Sequence, residues 1–269
     1  PKIFSKQWGE TLYSLRCIPM GGFCAMEGED DASDNPRAFT NCHPLKKACI
    51  LAAGSLVNFI TGLVIIAILY SSAAAFRAPI IEAFFENCPY EGENALMVGD
   101  RFHSIDGKRI FEYGDVSDFL AQGDGVYDFV IIRDGKKIRL DDFKMVPVEY
   151  ETEEGIVKKF GFYFGYEEAT LGVKLRNTWY TGLQFTRWVW QGLRELTGGG
   201  VKLDDLSGPV GVVELMTESG TNAQSTSDAL FNIFYIAAFI CINLAIMNML
   251  LSPALDGGRV FLLVVTVII

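Results

Sequence analysis

Two long stretches of this chain contain no charged residue: 48–76 (29 residues) and 229–255 (27 residues). About 20 apolar residues are enough for a helix to cross the hydrocarbon core of a membrane, so each stretch is long enough to span one. Between them, residues 77–228 carry 16 Lys and Arg against 26 Asp and Glu, which accounts for the whole formal charge of −10. The pattern predicts two membrane spans around an acidic domain outside the bilayer. The negative charge argues against nucleic acid as a partner.

A lone carboxylate, Asp256, follows the second uncharged stretch and precedes another apolar segment, 260–269. An ionised carboxylate at membrane depth is costly unless something compensates it, so such a residue is a functional candidate. Pro253 and the pair Gly257-Gly258 indicate that the backbone here is not plain helix. From the residues alone, a helix cap and a metal ligand are equally good interpretations of Asp256.

The run Asn248-Met-Leu-Leu-Ser-Pro-Ala-Leu-Asp-Gly257 resembles the Asn-x-x-Pro-x-Pro-x-Leu-Asp-Gly signature of the site-2 proteases (family M50). These are intramembrane zinc metalloproteases, and the likeness is to their bacterial, PDZ-containing, sigma-factor-regulating branch. The resemblance implies that Asp256 is the third ligand of Zn²⁺ and that Asn248 helps to position substrate. Pro253, Leu255 and Gly257 match the signature, whereas Leu251 stands where its first proline is expected.

Near the N-terminus, Ile18-Pro-Met-Gly-Gly-Phe23 is similar to an Ile-Pro-Leu-Gly-Gly-Tyr element of the same family. Residue pattern alone predicts a strand over 11–18, a turn at 19–22 and a return strand over 23–26, with an ordinary surface hairpin as the alternative. The resemblance implies a membrane-associated β-hairpin. Its exposed edge at Gly21, Gly22 and Phe23 would pair with an unwound substrate strand.

Within the first apolar stretch, Ala52-Ala-Gly-Ser-Leu-Val-Asn-Phe59 resembles the family's Ala-Ala-Gly-Pro-x-x-Asn-Phe element, with Ser55 replacing proline. We expect Gly54 and Gly62 to let helices approach closely. Asn58 is polar and is expected either to form a helix–helix hydrogen bond or to act near the metal.

Residues 96–108 resemble the Leu-x-x-Gly-Asp-x-Ile-x-x-Ile-Asp-Gly core of PDZ domains, which implies a PDZ domain over 77–148 and either a peptide or the substrate as its ligand. Asp106-Gly107 and Asp134-Gly135 predict hairpin turns, and 116–122 predicts a short helix. Residues 178–196 predict an amphipathic helix that lies against the bilayer, with a soluble core helix as the alternative. Ser207, Gly208 and Pro209 fall in a segment similar to the family's Leu-Ser-Gly-Pro-Val-Gly linker, with a simple turn before a helix as the alternative.

Zinc-dependent peptide hydrolysis needs histidine ligands and a general base, which the family supplies from a His-Glu-x-x-His helix. This sequence has no such motif, and its two histidines are His43 and His103. We therefore expect a fragment truncated at both ends, inactive as given, that lacks the motif-bearing helix before the hairpin and a further membrane helix after Ile269. The rival hypothesis is a membrane-anchored PDZ adaptor or pseudoprotease that binds transmembrane segments without cutting them. An in-frame His-Glu-x-x-His in the coding sequence upstream would favour the protease.

The expected fold is a multi-pass α-helical membrane protein with a membrane-associated β-hairpin and an inserted α+β PDZ domain. The expected partners are a transmembrane protein substrate and the lipid bilayer. Lys46-Lys47 predicts a cytoplasmic start for the first span, which would put the PDZ domain on the extracytoplasmic side of a bacterial cytoplasmic membrane. The expected segments are 1–47 (hairpin and cytoplasmic loop), 48–76 (transmembrane helix), 77–148 (PDZ domain), 149–228 (hairpin, interfacial helix and linker) and 229–269 (transmembrane segment, Leu-Asp-Gly motif and start of the next helix).

Overall fold

The structure is a computed structural model that describes residues 2–17, 24–29, 34–152, 155–198, 225–250, 252 and 255–268. The chain divides into two compact units, which are Pro1–Leu51 with Val260–Ile269, and Ala52–Arg259. The residues that the structure describes contain two long apolar helices and ten strands in three antiparallel sheets.

An antiparallel hairpin opens the chain, formed by β1 (Lys2–Trp8) and β2 (Thr11–Arg16). The predicted pairing of 11–18 with 23–26 is wrong, because β2 pairs with the residues before it and residues 24–26 form no strand. The two-residue turn between Trp8 and Thr11 has a positive φ of 63° at Gly9, a conformation that favours glycine. Gly21, Gly22 and Phe23 lie outside the described residues.

Helix α1 (Pro44–Ser71) and helix α4 (Thr226–Asn248) are long and apolar enough to cross a membrane. The predicted span 48–76 is displaced, since the helix begins four residues earlier and residues 75–76 already belong to a strand. Two serine hydroxyls accompany the end of α1: Ser71 Oγ donates to the carbonyl of Ile68 at 2.6 Å, and Ser72 Oγ donates to the carbonyl of Leu69 at 3.5 Å. The last carbonyl groups of a helix have no backbone N–H partner within that helix, and these two hydroxyl groups supply donors for them.

Helix α3 (Leu171–Thr197) packs with α1 and α4 around one apolar cluster. Its buried centre consists of Ile66 from α1, Phe185 from α3, and Ala238 and Ile242 from α4. Phe185 meets the rings of two α4 aromatic residues edge-on, each at 5.1 Å between centroids. The helix predicted over 178–196 is therefore present and extends further toward the N-terminus.

Close helix approach occurs at one of the two predicted glycines. A Cβ at Gly62 would lie 2.6 Å from Ile242 Cγ1 and 3.0 Å from the Ala238 carbonyl oxygen, so α1 and α4 touch there. At Gly54, which is exposed, a Cβ would meet no described atom within 4 Å. No described helix packs against that face, so a close approach at Gly54 stays a prediction.

The main sheet has six antiparallel strands in the order β10-β3-β4-β6-β7, with β5 paired to β4. Helix α2 (Tyr113–Gln122) lies against it, and the predicted turns at Asp106-Gly107 and Asp134-Gly135 are confirmed. A separate hairpin, β8–β9, precedes β10. The strands are β3 (Ala75–Phe84), β4 (Arg101–Ile105), β5 (Lys108–Arg109), β6 (Val126–Arg133), β7 (Lys136–Lys144), β8 (Val148–Thr152), β9 (Gly155–Lys159) and β10 (Phe162–Glu168).

Strand β10 extends the sheet beyond the predicted domain limit at residue 148. It pairs with β3, and its Phe162 and Phe164 pack on Phe102 in the core of the sheet. Aromatic side chains bury a large apolar area. The pairing of β10 with β3 therefore buries these two phenylalanine rings in the core of the sheet. The sheet therefore comprises segments on both sides of the β8–β9 hairpin.

A buried ion pair fixes the turn before β4. Asp100 has 0% of its side chain exposed and accepts two hydrogen bonds from Arg133, both of 2.7 Å. Arg133 also donates to the carbonyls of Glu93 and Ala95, at 3.2 and 2.8 Å. The Gly-Asp pair noted in the sequence thus carries a structural carboxylate that joins β6 to the loop ahead of β4.

Candidate functional site

The candidate site lies at the break between α4 and α5 (Asp256–Ile268). Helix α4 ends at Asn248, and the N–H groups of Met249 and Leu250 bond to carbonyls three residues back, at 3.0 and 3.1 Å. This tighter winding is typical of a helix terminus. The apolar stretch is therefore broken, as the sequence predicts, although Leu251 and Pro253 lie outside the described residues.

Gly257 holds the two sides of the break together. A Cβ at this position would overlap the backbone carbonyl of Met249 and would lie 2.6 Å from the carbonyl oxygen of Leu250. Gly257 is also buried. The chain thus folds back so that the residue after Asp256 touches the residue after Asn248, which brings the two ends of the signature together.

Asp256 is the first residue of α5 and is half-buried. The N–H groups of Gly258 and Arg259 both donate to the carbonyl of Leu255, at 3.1 and 3.3 Å. The side chain of Asp256 forms no hydrogen bond or ion pair with another described residue, so the capping bond that the alternative interpretation requires is not found there. A carboxylate in a first helical turn interacts favourably with the helix dipole.

Two polar residues of α1 were singled out in the sequence, and neither has a described hydrogen-bond partner for its side chain. Asn58 is half-buried, and no hydrogen bond joins its side chain to another helix within the described ranges. Ser55, which replaces the family's proline, is buried, and its hydroxyl has no partner in the part of the chain that the structure describes. Leu255 is half-buried at the start of α5, whereas Ser207, Gly208 and Pro209 fall in the gap 199–224 that the structure does not describe.

Among the described residues, no metal centre combines either histidine with Asp256. His103 lies in β4 beside Arg109, and burial, together with Arg109 and Lys137, lowers the pKa of its imidazole. His43 precedes α1, and its Nδ1 accepts a hydrogen bond from the N–H of Leu45 at 3.3 Å. No group of three His, Cys, Asp or Glu side chains that could hold a metal ion occurs among the described residues. A zinc site takes at least three protein ligands, so these residues supply one candidate ligand and not a complete site.

A polar network between α1, α2 and α3 was not predicted from the sequence. Thr181 donates to the Glu112 carboxylate at 2.9 Å, and its hydroxyl lies 3.0 Å from that of Tyr70. Next to it, Arg187 forms an ion pair with the buried Asp115 at 3.0 Å. These residues are distant in sequence, and no local pattern connects them.

Comparison with known proteins gives a consistent result. The profile of peptidase family M50 matches residues 1–269, the whole chain. "Putative zinc metalloprotease CPE1693" of Clostridium perfringens is 29% identical over 276 residues, which cover 100% of this chain and 77% of the relative. "Putative zinc metalloprotease CA_C1796" of Clostridium acetobutylicum is 28% identical over 97% of this chain and 74% of its own. "Regulator of sigma-W protease RasP" of Bacillus subtilis is 30% identical over 98% of this chain and 61% of its own length.

Zinc is therefore the cofactor of these enzymes, and the family consists of membrane proteins, with which the two apolar helices are compatible. A match along the full length, together with relatives named as zinc metalloproteases, identifies this chain as a member of peptidase family M50, the site-2 type of zinc metalloendopeptidase.

Proposed function

We propose that this chain provides the third zinc ligand, Asp256, and the substrate-holding elements of a protease that cuts membrane-anchored proteins within the bilayer. The observation that carries the proposal is the position of Asp256. It is a half-buried carboxylate with no described partner, at a helix break stabilised by the contact between Gly257 and Met249. A buried carboxylate without a partner is costly in lipid, and a divalent cation would compensate it.

Asn248 is the proposed substrate-positioning residue. It is the last residue of α4 and precedes Met249, whose carbonyl abuts Gly257. A side-chain amide beside the metal ligand could bond to the backbone of a substrate whose helix has opened. Asn58 of α1 has no described hydrogen-bond partner. We propose it as a second polar residue that lines the polar cavity around the metal, which non-helical backbone within a membrane requires.

The proposed role of the N-terminal hairpin is to lie at the membrane and present an edge to substrate. Six large apolar side chains of β1 and β2 are exposed, and Trp8 is 78% exposed. In water such a surface would be unfavourable, whereas in the interfacial region it would be buried by lipid. Gly21, Gly22 and Phe23 follow this hairpin in the sequence, and we propose that they pair with the unwound substrate strand. The six are Ile3, Phe4, Trp8, Leu12, Tyr13 and Leu15.

The proposed role of the six-stranded sheet with α2 is that of a PDZ-type gate on the extracytoplasmic side of a multi-pass protein in the bacterial cytoplasmic membrane. Its Asp-Gly hairpins and the helix over 113–122 support the PDZ assignment. Three exposed tryptophans on α3, at positions 179, 188 and 190, support an interfacial position for that helix. Ser207, Gly208 and Pro209 would then form the linker that returns the chain to the membrane.

The test uses the product of the complete open reading frame, purified in detergent. Asp256→Ala is expected to lower bound zinc well below that of the wild type and to abolish cleavage of a membrane-anchored reporter. Asp228→Asn is the matched control, because Asp228 is also a carboxylate in the first turn of an apolar helix. The control is expected to keep both zinc and cleavage.

Zinc content measured by mass spectrometry tests the ligand role of Asp256 separately from the cleavage activity. Wild-type zinc in Asp256→Ala would overturn the ligand role. A wild-type protein that binds transmembrane segments but neither holds zinc nor cleaves them would instead identify a pseudoprotease.

A further inference from the structure

A cavity of about 430 Å³ lies between the main sheet and α3, far along the chain from the Leu-Asp-Gly motif. Strands β3, β4, β5 and β10, the start of α2 and one face of α3 all contribute to its wall. Six charged side chains line it: Arg77, Arg101, Arg109, Arg176, Glu112 and Glu167. Four guanidinium groups thus face two carboxylates, in a chain whose net charge is −10.

The two carboxylates are already engaged. Glu167 binds Arg101 at 2.8 Å and Arg176 at 2.5 Å. Burial opposes ionisation of Glu167, but the hydrogen bonds from Arg176 and Arg101 outweigh it and lower its pKa. Glu112 accepts the hydrogen bond from Thr181, and burial raises its pKa. The cavity therefore retains excess positive charge.

Arg77 and Arg109 supply that excess. Neither forms an ion pair with a carboxylate in the described part of the chain. Arg77 lies over the rings of Tyr113 and Tyr166, at 5.0 and 6.0 Å. Arg109 donates to the hydroxyl of Tyr180 at 3.2 Å. Arg109 also contacts the ring of His103. Both arginines line the cavity, and a guanidinium group is the side chain best suited to bind a phosphate.

The cavity also adjoins the end of the apolar helix α1. Tyr70, in the last turn of α1, is part of its wall, and the Tyr70 hydroxyl lies 3.0 Å from that of Thr181 in α3. Trp179 lies between Thr178 and Tyr180, is exposed, and meets Phe59 of α1 edge-on at 6.3 Å. Tyrosine and tryptophan at the end of an apolar helix are typical of the level at which lipid headgroups lie.

We propose that this cavity binds the phosphate headgroup of an anionic phospholipid, with Arg77 and Arg109 as its principal cationic contacts. The inference rests on the proposed function in one respect, which is that α1 crosses the membrane. Bound headgroup would join α1, α3 and the sheet, and so would couple the membrane to the domain proposed as the gate.

The experiment titrates the purified full-length protein in detergent with dioctanoyl phosphatidylglycerol and follows binding by isothermal titration calorimetry. Dioctanoyl phosphatidylcholine and inorganic phosphate serve as comparison ligands. Phosphatidylglycerol is expected to bind saturably at one site, and phosphatidylcholine and inorganic phosphate are expected to bind much more weakly. Arg77→Gln and Arg109→Gln should each weaken it by about fivefold. Arg139→Gln is the matched control, since Arg139 is an exposed arginine of β7 outside the cavity.

The proposal is overturned if both lipids bind with equal affinity, or if inorganic phosphate alone binds as tightly as phosphatidylglycerol. It is also overturned if folded Arg77→Gln and Arg109→Gln bind phosphatidylglycerol as tightly as wild type. Displacement of the lipid by an acidic hexapeptide would overturn it as well. Circular dichroism verifies folding of each variant. Asp256→Ala should retain lipid binding, so a failed zinc-ligand test and a failed lipid test are distinguishable.

Discussion

The α-carbon of Gly257 lies against the backbone carbonyl of Met249, so closely that no side chain fits between them. Gly257 does not have a positive φ. The requirement for glycine is therefore one of space, imposed by the chain folding back between α4 and α5. This contact holds the residue next to Asp256 in place, and it makes the helix break a packed structure.

Replacing Gly257 with alanine should disrupt the break. The added methyl group would overlap a backbone carbonyl, which cannot rotate away as a side chain can, and the expected cost is about 1–3 kcal/mol of stability. Thermal unfolding of the detergent-purified protein measures it. Zinc content should fall as well if Asp256 is displaced.

The control for this prediction is Gly192→Ala. Gly192 is an exposed residue of α3, and beyond its own helix no described atom lies within 4 Å of an added Cβ. Alanine there should stabilise the helix by about 0.5–1 kcal/mol. Equal effects of the two substitutions would contradict the packing interpretation of Gly257.

The contact of Gly62 with Ile242 should appear as coupling between mutations. Gly62→Ala is expected to destabilise the packing of α1 on α4, because its methyl group would lie 2.6 Å from Ile242 Cγ1. Shortening the partner in Gly62→Ala/Ile242→Ala removes that overlap, so the double variant should be more stable than the sum of the single effects by about 0.5–3 kcal/mol. Unfolding of all four proteins completes the cycle. Gly192→Ala combined with Ile242→Ala should instead be additive.

Replacing Asp100 should destabilise the domain that contains the main sheet far more than replacing an exposed aspartate. Asp100→Ala leaves Arg133, whose side chain is 18% exposed, without its counter-ion, and the expected cost is about 3–5 kcal/mol. Asp141→Ala removes an exposed partner of Arg139 and should cost less than about 1 kcal/mol. The midpoint of thermal unfolding distinguishes them, and similar midpoints would refute the structural role of Asp100.

Glu112 and Glu167 should contribute to stability with opposite pH dependence. Burial raises the pKa of Glu112, so the folded state binds its proton more tightly than the unfolded state. Stability from this group therefore increases as pH falls from neutral toward the ordinary glutamate value of 4.5. Glu112→Gln keeps an acceptor for Thr181 and should raise stability at neutral pH while removing that increase.

Glu167→Gln is the matched counterpart. Although burial opposes it, hydrogen bonds from Arg176 and Arg101 lower the pKa of Glu167, so its contribution is present at neutral pH and lost as pH falls through the lowered pKa. The variant should be less stable than wild type at neutral pH and should approach it in acid. Unfolding midpoints from pH 7 downward that run parallel in all three proteins would contradict both assignments.

Local features were predictable wherever neighbouring residues decide the conformation. Asp106-Gly107 and Asp134-Gly135 form the turns that such pairs favour, and the uncharged stretches form α1 and α4. The N-terminal hairpin was mispredicted because Gly9-Glu10 competes with the Pro-Gly-Gly signal ten residues later. Pairing depends on which strand the turn brings into register, and residue pattern alone does not rank two nearby turns.

By itself the sequence determined two membrane-length helices, an acidic domain between them and a signature whose last acidic residue is Asp256. These follow from properties that are local along the chain, namely hydrophobicity, charge and turn chemistry. Only the tertiary structure decided that Gly257 packs on Met249, that β10 completes the sheet, and that four arginines from β3, β4, β5 and α3 share one cavity. Such contacts join residues far apart in sequence, and the free energy of packing them depends on shape and distance in three dimensions.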